Sequence, residues 1–567
     1  MKREADFKTR ALELHSLFVW DYSWVMKVLE YMTKLDYNTL ILHRNDIVEC
    51  TEYPGGIFGY KNKNGDNSIF DVYSQCFSAI YKNTPTRRSS VFNRRSYLKK
   101  ILVEAYKRKI AVYIENKELF FPDILTEFHP ELLHDGHVCP TDPYWKEYMR
   151  MKFQDFFRDY PEVSGVITSV ATSESRISIK ANRCHCDRCK QTKNEDWYKS
   201  ILDTLYKVLT EFGKELIVRD FVFDSSSQKE IASVMEALPS DVIISLKNTP
   251  HDYYPTFPIN PRIGKVGSHR QWIEFDTMGQ YYGMGVSVAD LSEDYRRRLE
   301  DAKDKGVCGT VFRTDWESLD GNSSFLTPNL INVYSGAMLS KKITINPKTI
   351  YKKFVNDEGW AKGNPNPAAE WLQSILSKTW SVTSKTVFVD GCVFSDSSTL
   401  PISMDHALWL AEDKNSLKDW DPSKKDSLLP LKKSLEHILL EKDEAKKEID
   451  SIIQIIDKVP SCINEEKGKW LKEWMYINKL YVEMFSHCAK LIFIARYILQ
   501  TQETDSQFLL KKKKQFNREL KSLDGVESEL QKFWLKTDYF PNAIYTLLDP
   551  DRFDCFRRNI QRLYQWC

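Results

Sequence analysis

At 567 residues the chain exceeds one ordinary domain and allows roughly two to four. Its 81 Lys and Arg against 79 Asp and Glu leave a net charge of +2, which excludes a global field that would steer it onto nucleic acid. With 42% hydrophobic and 28% charged residues the chain is globular, and no run reaches the ~18 apolar residues of a membrane span.

The opening MKREADFKTRALELHS lacks an apolar stretch of signal-peptide length. The protein is therefore expected in the cytoplasm, or in the periplasm or outside the cell where a leader has been removed. From about residue 14 to about 340 one pattern recurs: a short β-rich apolar run, a polar or aromatic loop, then an amphipathic helical stretch. The runs are HSLFVWD (15–21), YNTLILHRND (37–46), IAVYIENKE (110–118), VSGVITSVATSES (163–175), ELIVRDFVFD (215–224), DVIISLKN (241–248), RQWIEFDT (270–277) and GVCGTVFRTDW (306–316). Between them, YSWVMKVLEYMTKL, RRSYLKKILVEAYKRK, YWKEYMRMKFQDFFRD and NEDWYKSILDTLYKVLTEFG carry apolar residues at helical spacing. Eight such units predict an α/β fold, a (β/α)8 TIM barrel over 1–340, with its site at the C-terminal ends of the strands. Past residue 340 the cadence changes. KSLEHILLEKDEAKKEIDSIIQIIDKV and WLKEWMYINKLYVEMFSHCAKLIFIARYILQ read as long helices of a mostly α-helical C-terminal domain, 341–567, through which a homodimer is one arrangement. The irregular segment 381–401 is expected to lean over the barrel mouth.

The strand ends share a polar character: Asp21, His43, Arg44, Glu115, Glu174, Arg219, Lys247, Glu274 and Arg313. Their repeated placement at one rim points to function, because loops on a rigid scaffold carry it. Three carboxylates stand out, Glu174, Asp252 and Glu274. Cleaving a glycosidic bond needs an acid on the leaving oxygen and a base or nucleophile across the ring, both usually carboxyl groups. Trp20, Tyr53, Tyr113, Trp272 and Trp316 are candidates to stack on a sugar face. No P-loop, dinucleotide fingerprint or Gly-x-Ser-x-Gly elbow is present, so phosphate, nicotinamide and serine-hydrolase chemistry lack support.

The segment LKNTPHDYYPTFPINPRIG followed by WIEFDTMGQYYG resembles the glycoside hydrolase family 67 α-glucuronidases. In that family a Lys-Asn-x-Pro-x-Asp stretch precedes Met-Glu-Phe and Tyr-Leu-Gly. VRDFVF is similar to the family's fifth-strand Arg-x-Phe-Val-Tyr, SVATSES stands where it has Ser-Glu, and TPNLINVYSGAMLS is similar to its barrel-to-helix junction. The resemblance implies an exo-acting, inverting hydrolase that takes a terminal uronic acid from an oligosaccharide, with no catalytic cofactor; the charge balance and the lack of a long apolar run lead to the expectation of no nucleic-acid or membrane partner. It implies Glu174 as general acid and Asp252 with Glu274 as the pair that activates water. Arg219 and Lys247 match sugar-binding positions, and His43, Arg44, Trp20, Trp272 and Arg313 complete the expected subsite. Two departures stand: the family's lysine four residues before the acid is Val170 here, and its N-terminal α+β domain has no counterpart before the first run. Val170 keeps open an exo-glycosidase for a neutral or amino sugar. The reading from another class is a non-catalytic, carbohydrate-binding or zinc-organised scaffold.

ANRCHCDRCKQT sets Cys184, Cys186 and Cys189 at C-x-C-x-x-C spacing beside His185, just after Glu174. Three thiolates can fill three corners of a structural zinc site, the fourth coming from His185 or from Cys139 or His137 upstream. Free thiols or a disulfide are the competing readings.

Overall fold

The computed structural model describes residues 5–44, 47–51, 85–117, 119–122, 125–126, 130–134, 136–170, 172, 175–220, 225–317, 319, 321–501, 505–536 and 549–566. Eight strands close a barrel, all pairs parallel: β1 (Thr9–Leu14), β2 (Thr39–Leu42), β3 (Ala111–Glu115), β4 (Val163–Ser169), β5 (Glu215–Asp220), β6 (Ile243–Lys247), β7 (Arg270–Asp276) and β8 (Gly309–Arg313). The seam pairs Thr9 with Gly309 and Glu13 with Arg313. Crossover helices ring it at α1 (Tyr22–Leu35), α2 (Pro85–Lys107), α3 (Tyr144–Asp159), α4 (Asn194–Glu211), α5 (Ser225–Glu236) and α6 (Ser292–Asp304). The buried stripe of α1, from Trp24 through Val25, Val28, Leu29 and Met32 to Leu35, shows how the 3.6-residue period meets the sheet. The barrel and the helical region that follows it are thus as expected from the sequence.

The first run is a correction. Residues 15–21 are not a strand: Leu17–Trp20 form a 3₁₀ turn bracketed by two caps. The Ser16 hydroxyl accepts from the Phe18 amide, and the Asp21 carboxylate accepts from the Trp24 amide at 3.0 Å to start α1. Asp315 accepts from the amides of His15 and Ser16 at 2.8 and 2.9 Å, which ends the strand there. The strand lies upstream, in TRALEL, whose burial deepens from Ala11 onward.

Alternation along the strands sorts the interior into layers. Outward residues such as Leu12, Leu40, Ile114, Val166, Val218, Ile244, Phe275 and Phe312 pack under the helices. Inward, Ala11, Ile41, Tyr113, Ile167, Ile217, Ile243, Trp272 and Val311, one from each strand, form a separate apolar plug. Each isoleucine of the plug, and its valine, contributes about 1.5–3 kcal/mol by leaving water. Two residues further along every strand the inward face turns polar: Glu13, His43, Glu115, Ser169, Arg219, Ser245, Glu274 and Arg313, all buried. That period-two step, repeated eight times, makes the floor of a site at the strands' C-terminal end.

Among the described residues no helix joins β6 to β7. The loop 248–269 replaces it and is held from behind by Arg298 of α6. This fully buried guanidinium donates to the carbonyls of Asn248, Pro255, Phe257 and Pro258 at 2.8–3.2 Å. Beyond the barrel, a buried helix Leu330–Lys341 leads into the helical region, where Lys432–Ile456, Glu465–Gln500 and Ser506–Lys536 are the long members. One apolar core runs through both parts, from Phe7 to Ile560.

Candidate active site

Arg219 is the hub of the polar layer. Its Nε donates to Glu274 Oε1 at 2.7 Å, its Nη1 to Glu115 Oε2 at 2.9 Å, and its Nη2 to Glu13. His43 Nδ1 sits 2.8 Å from Glu13 Oε1 and also contacts Glu115. Burial opposes charge on both carboxylates, but Arg219 and His43 hold Glu13 well below the usual range and hold Glu115 below it. Burial likewise opposes charge on His43, and Glu115 and Glu13 together raise its pKa. Its Nε2 has no hydrogen-bond partner among the described residues.

Glu274 does not line the cavity above. It lies in the floor, Oε1 accepting from Arg219 and the Ser245 hydroxyl, Oε2 from the Tyr253 hydroxyl at 2.7 Å. Trp272, two residues earlier on β7, is one layer deeper in the apolar plug, edge-on to Tyr113 at 5.6 Å, and so is core rather than a stacking surface. Trp20 packs against Tyr97 and under Arg94 of α2, outside the cavity lining. Arg44 is also outside the lining. Asp21 caps α1 instead of facing the rim. Glu174 and Tyr53 lie outside the described residues.

Above the floor is a cavity of about 510 Å³, a size typical of small-molecule sites. His43, Arg219, Lys247, Asp252, Arg313 and Trp316, all anticipated, line it together with His15, Lys117, Ser169, Tyr253, Tyr254, Gln280, Tyr281 and Glu317. The last wall comes from the helical region: Asp396, Ser397, Trp409, Lys414 and Asn415. The segment expected over the mouth does reach it, but only through its final residues. Its earlier part is the helix Thr379–Thr386 and a hairpin pairing Phe388–Val389 with Cys392–Val393. Ser398 fastens the wall, accepting from the Gly283 amide and donating to the Gln280 carbonyl, both at 2.9 Å. His251 Nε2 meets Asn415 Oδ1 at 2.9 Å.

Asp252 is the buried carboxylate that the β6–β7 loop presents to this space. Its backbone is left-handed at φ 47°, a conformation aspartate tolerates. Lys247, at the end of β6, donates to its Oδ1 at 2.5 Å. Burial works against the charge, yet Lys247 and His251 hold the carboxyl below its usual range, so it stands as a base near neutral pH. Arg313 donates to Gln280 Oε1 at 2.6 Å and lies over the Tyr253 ring at 4.7 Å, while its buried Nε has no partner among the described residues. Val170 is completely buried.

Sequence reading missed Glu13, His15, Lys117 and the wall at 409–415. Glu13 and His15 were hidden by the misplaced first strand. Lys117 had a signal: it stands two residues beyond Glu115, on the same inward face. The cysteine cluster takes a different fourth member than His185: the thiols of Cys139, Cys184, Cys186 and Cys189 gather, and His185 is exposed outside the group.

No family model and no curated protein matches this sequence. Among solved structures, a glycoside hydrolase family 138 enzyme targeting pectin rhamnogalacturonan II superposes with TM-score 0.60 at 12% identity, over 99% of this chain and 67% of that one. A family 115 4-O-methyl-α-glucuronidase with specificity for decorated arabinogalactans gives 0.44 at 11% identity, over 99% and 62%. An O-GlcNAc hydrolase mutant from Thermobaculum terrenum gives 0.40 at 10%, over 99% and 95%. The first likeness bears on the fold; at their scores the other two add no argument, and neither numbered family is family 67. No helix among the described residues is long and apolar enough to cross a membrane.

Proposed function

We propose that this protein is a glycoside hydrolase that removes a terminal uronic acid, or a related sugar, from the end of an oligosaccharide with inversion at the anomeric carbon. The observation that carries the reading is the pairing of Asp252 with Lys247 at the wall of a cavity floored by one polar side chain from every strand. In the proposed reaction Asp252 takes a proton from water as that water attacks the anomeric carbon. The leaving oxygen takes a proton from Glu174, which the family resemblance places after β4, the strand whose Ser169 lines the cavity. Glu274 acts from beneath, through Tyr253 and Arg219, to set the field around the base.

A uronate carboxylate suits the cationic side of the cavity. Val170 supplies no charge, and Arg219 is committed to three carboxylates, so Arg313, Lys117 and His43 are the groups we assign to it. A buried polar atom without a partner is costly to leave so, and His43 Nε2 and Arg313 Nε are two such atoms on cavity-lining residues. A neutral or amino sugar is the second reading, favoured by the apolar Val170. A metal ion at the cysteine cluster would take no part in the bond-breaking step.

The test is hydrolysis of reducing-end-tagged α-linked glucuronyl and hexosaminyl oligosaccharides followed by NMR. The β-anomer of glucuronic acid is expected first, with Asp252→Asn losing 10²–10⁴-fold in kcat while KM changes little. Release of the α-anomer first would remove Asp252 as water activator. Sugar binding without turnover in the native chain would leave the scaffold reading.

A further inference from the structure

Cys139 follows a short strand, His137–Val138, ahead of α3, whereas Cys184, Cys186 and Cys189 lie between β4 and α4. The fold brings all four thiols together. The Sγ of Cys184 is 3.4 Å from that of Cys189 and 3.5 Å from that of Cys139, and Cys139 is 3.7 Å from Cys189 and 3.8 Å from Cys186. The four sulfurs lie within 4.8 Å of one another. Thiolates at the corners of a tetrahedron with zinc–sulfur bonds of about 2.3 Å would be about 3.8 Å apart. Two disulfides would give two close pairs; here one sulfur group is shared by all.

The surroundings suit thiolate ligands. The Cys189 amide donates to Cys186 Sγ at 3.4 Å, and Thr141 Oγ1 is 3.3 Å from both Cys139 Sγ and Cys189 Sγ. Arg188 is in electrostatic reach of Cys139 and Cys186. The turn that carries Cys139 is itself clamped: Trp145 Nε1 donates to the Cys139 carbonyl at 3.0 Å and Trp197 Nε1 to the Pro140 carbonyl at 2.8 Å. Such outer contacts fix ligand orientation.

We propose that Cys139, Cys184, Cys186 and Cys189 bind one zinc ion, a structural site that pins the turn before α3 to the loop that follows β4. Binding is not a redox step: four thiols and one Zn²⁺ give a tetrathiolate complex of net charge −2, and four protons pass to solvent. Closing all four corners with sulfur leaves no position for water, so the ion organises rather than catalyses. It holds the loop that leaves β4 just past Ser169, and hence one side of the cavity.

The test reads metal, not turnover, so it stands or falls independently of the proposed hydrolysis. The full chain, purified without a polyhistidine tag from zinc-supplemented culture, is expected to hold one equivalent of zinc by elemental mass spectrometry and to release it on titration with an organomercurial. Cys139→Ser and Cys186→Ser should lose the stoichiometric ion, and His185→Ala should keep it. Should a cysteine variant fail to fold, cobalt exchanged into the native chain still decides, since sulfur-to-cobalt charge-transfer bands and tetrahedral d–d bands are expected. Four titratable thiols with no metal after equimolar zinc, a disulfide within the cluster, stoichiometric iron in place of zinc, or loss of zinc in His185→Ala would overturn the proposal.

Discussion

His15 and His43 lie against each other at the mouth of the barrel, ring centroids 3.6 Å apart and planes tilted by 45°, yet their surroundings push them in opposite directions. His43 has Glu13 and Glu115 on one nitrogen and is raised. Burial, reinforced by the charge on His43, pushes the His15 imidazole down to about 4, even with Glu317 2.8 Å from its Nε2. The sign differs accordingly. His43, raised in the folded chain, contributes stability that is complete below about pH 6.5 and is lost as pH rises through its folded value. His15, lowered, costs stability as pH falls from 6.5 to about 4, because only the unfolded chain takes up the proton there. In that window the His43 contribution is constant. Comparing denaturant unfolding of the native chain with His15→Gln between pH 4 and 7, the native chain should lose roughly 3 kcal/mol relative to the variant on acidification. Parallel curves would mean that His15 titrates normally.

At the scale of the strand, what matters is which residue of an alternating pair faces which layer. Trp272 fits the barrel's apolar plug because β8 opposes it with Gly309, where an added Cβ would lie 2.3 Å from Trp272 Cδ1. Gly309→Ala should therefore cost about 1–3 kcal/mol by overpacking. Trp272→Leu in that background should recover part of the loss, giving a coupling of about 0.5–3 kcal/mol in a double-mutant cycle. Additive effects would show that the two do not share the space. The same alternation explains what was legible beforehand. Seven strands and α1, α3 and α4 stood out because their apolar periods are clean; Lys247 and Arg313 were found because they end such strands, and Asp252 because it is a carboxylate in the loop just after one. With Glu274 in the floor, the period of two puts Trp272 a layer below it, so the alternation of β7, and not the residue type, decides that this tryptophan is core. The first strand failed for a different reason: LFVW is more apolar than RALEL, and the caps Ser16 and Asp21 carried the contrary signal. The wall at 409–415 had no local signal, since only tertiary packing brings it to the cavity.

Across the whole molecule the expected division at residue 340 does not coincide with a break in packing. The helix Leu330–Lys341 lies across the seam; Tyr37 of the barrel donates to its Val333 carbonyl at 2.7 Å, and a Cβ at Gly336 would lie 2.6 Å from the Phe312 ring. Tyr481, in the longest helix, donates to the Ser398 carbonyl at 3.0 Å, and Ser398 in turn holds Gln280, the partner of Arg313. The helical region thus supports the arginine assigned to the sugar through three contacts in series, as well as supplying Trp409 and Lys414 directly. A chain ending at residue 345 would keep all eight strands but bare the apolar surface that the later helices cover, and exposed surface of that kind drives association. Such a fragment is expected to be aggregation-prone, to lack a cooperative thermal transition, and to bind no sugar. A soluble fragment that melts cooperatively would mark the barrel as an independent domain. If it also bound the oligosaccharide, the wall at 396–415 would be shown to shape the cavity without holding the ligand, and recognition would fall to the strand ends alone.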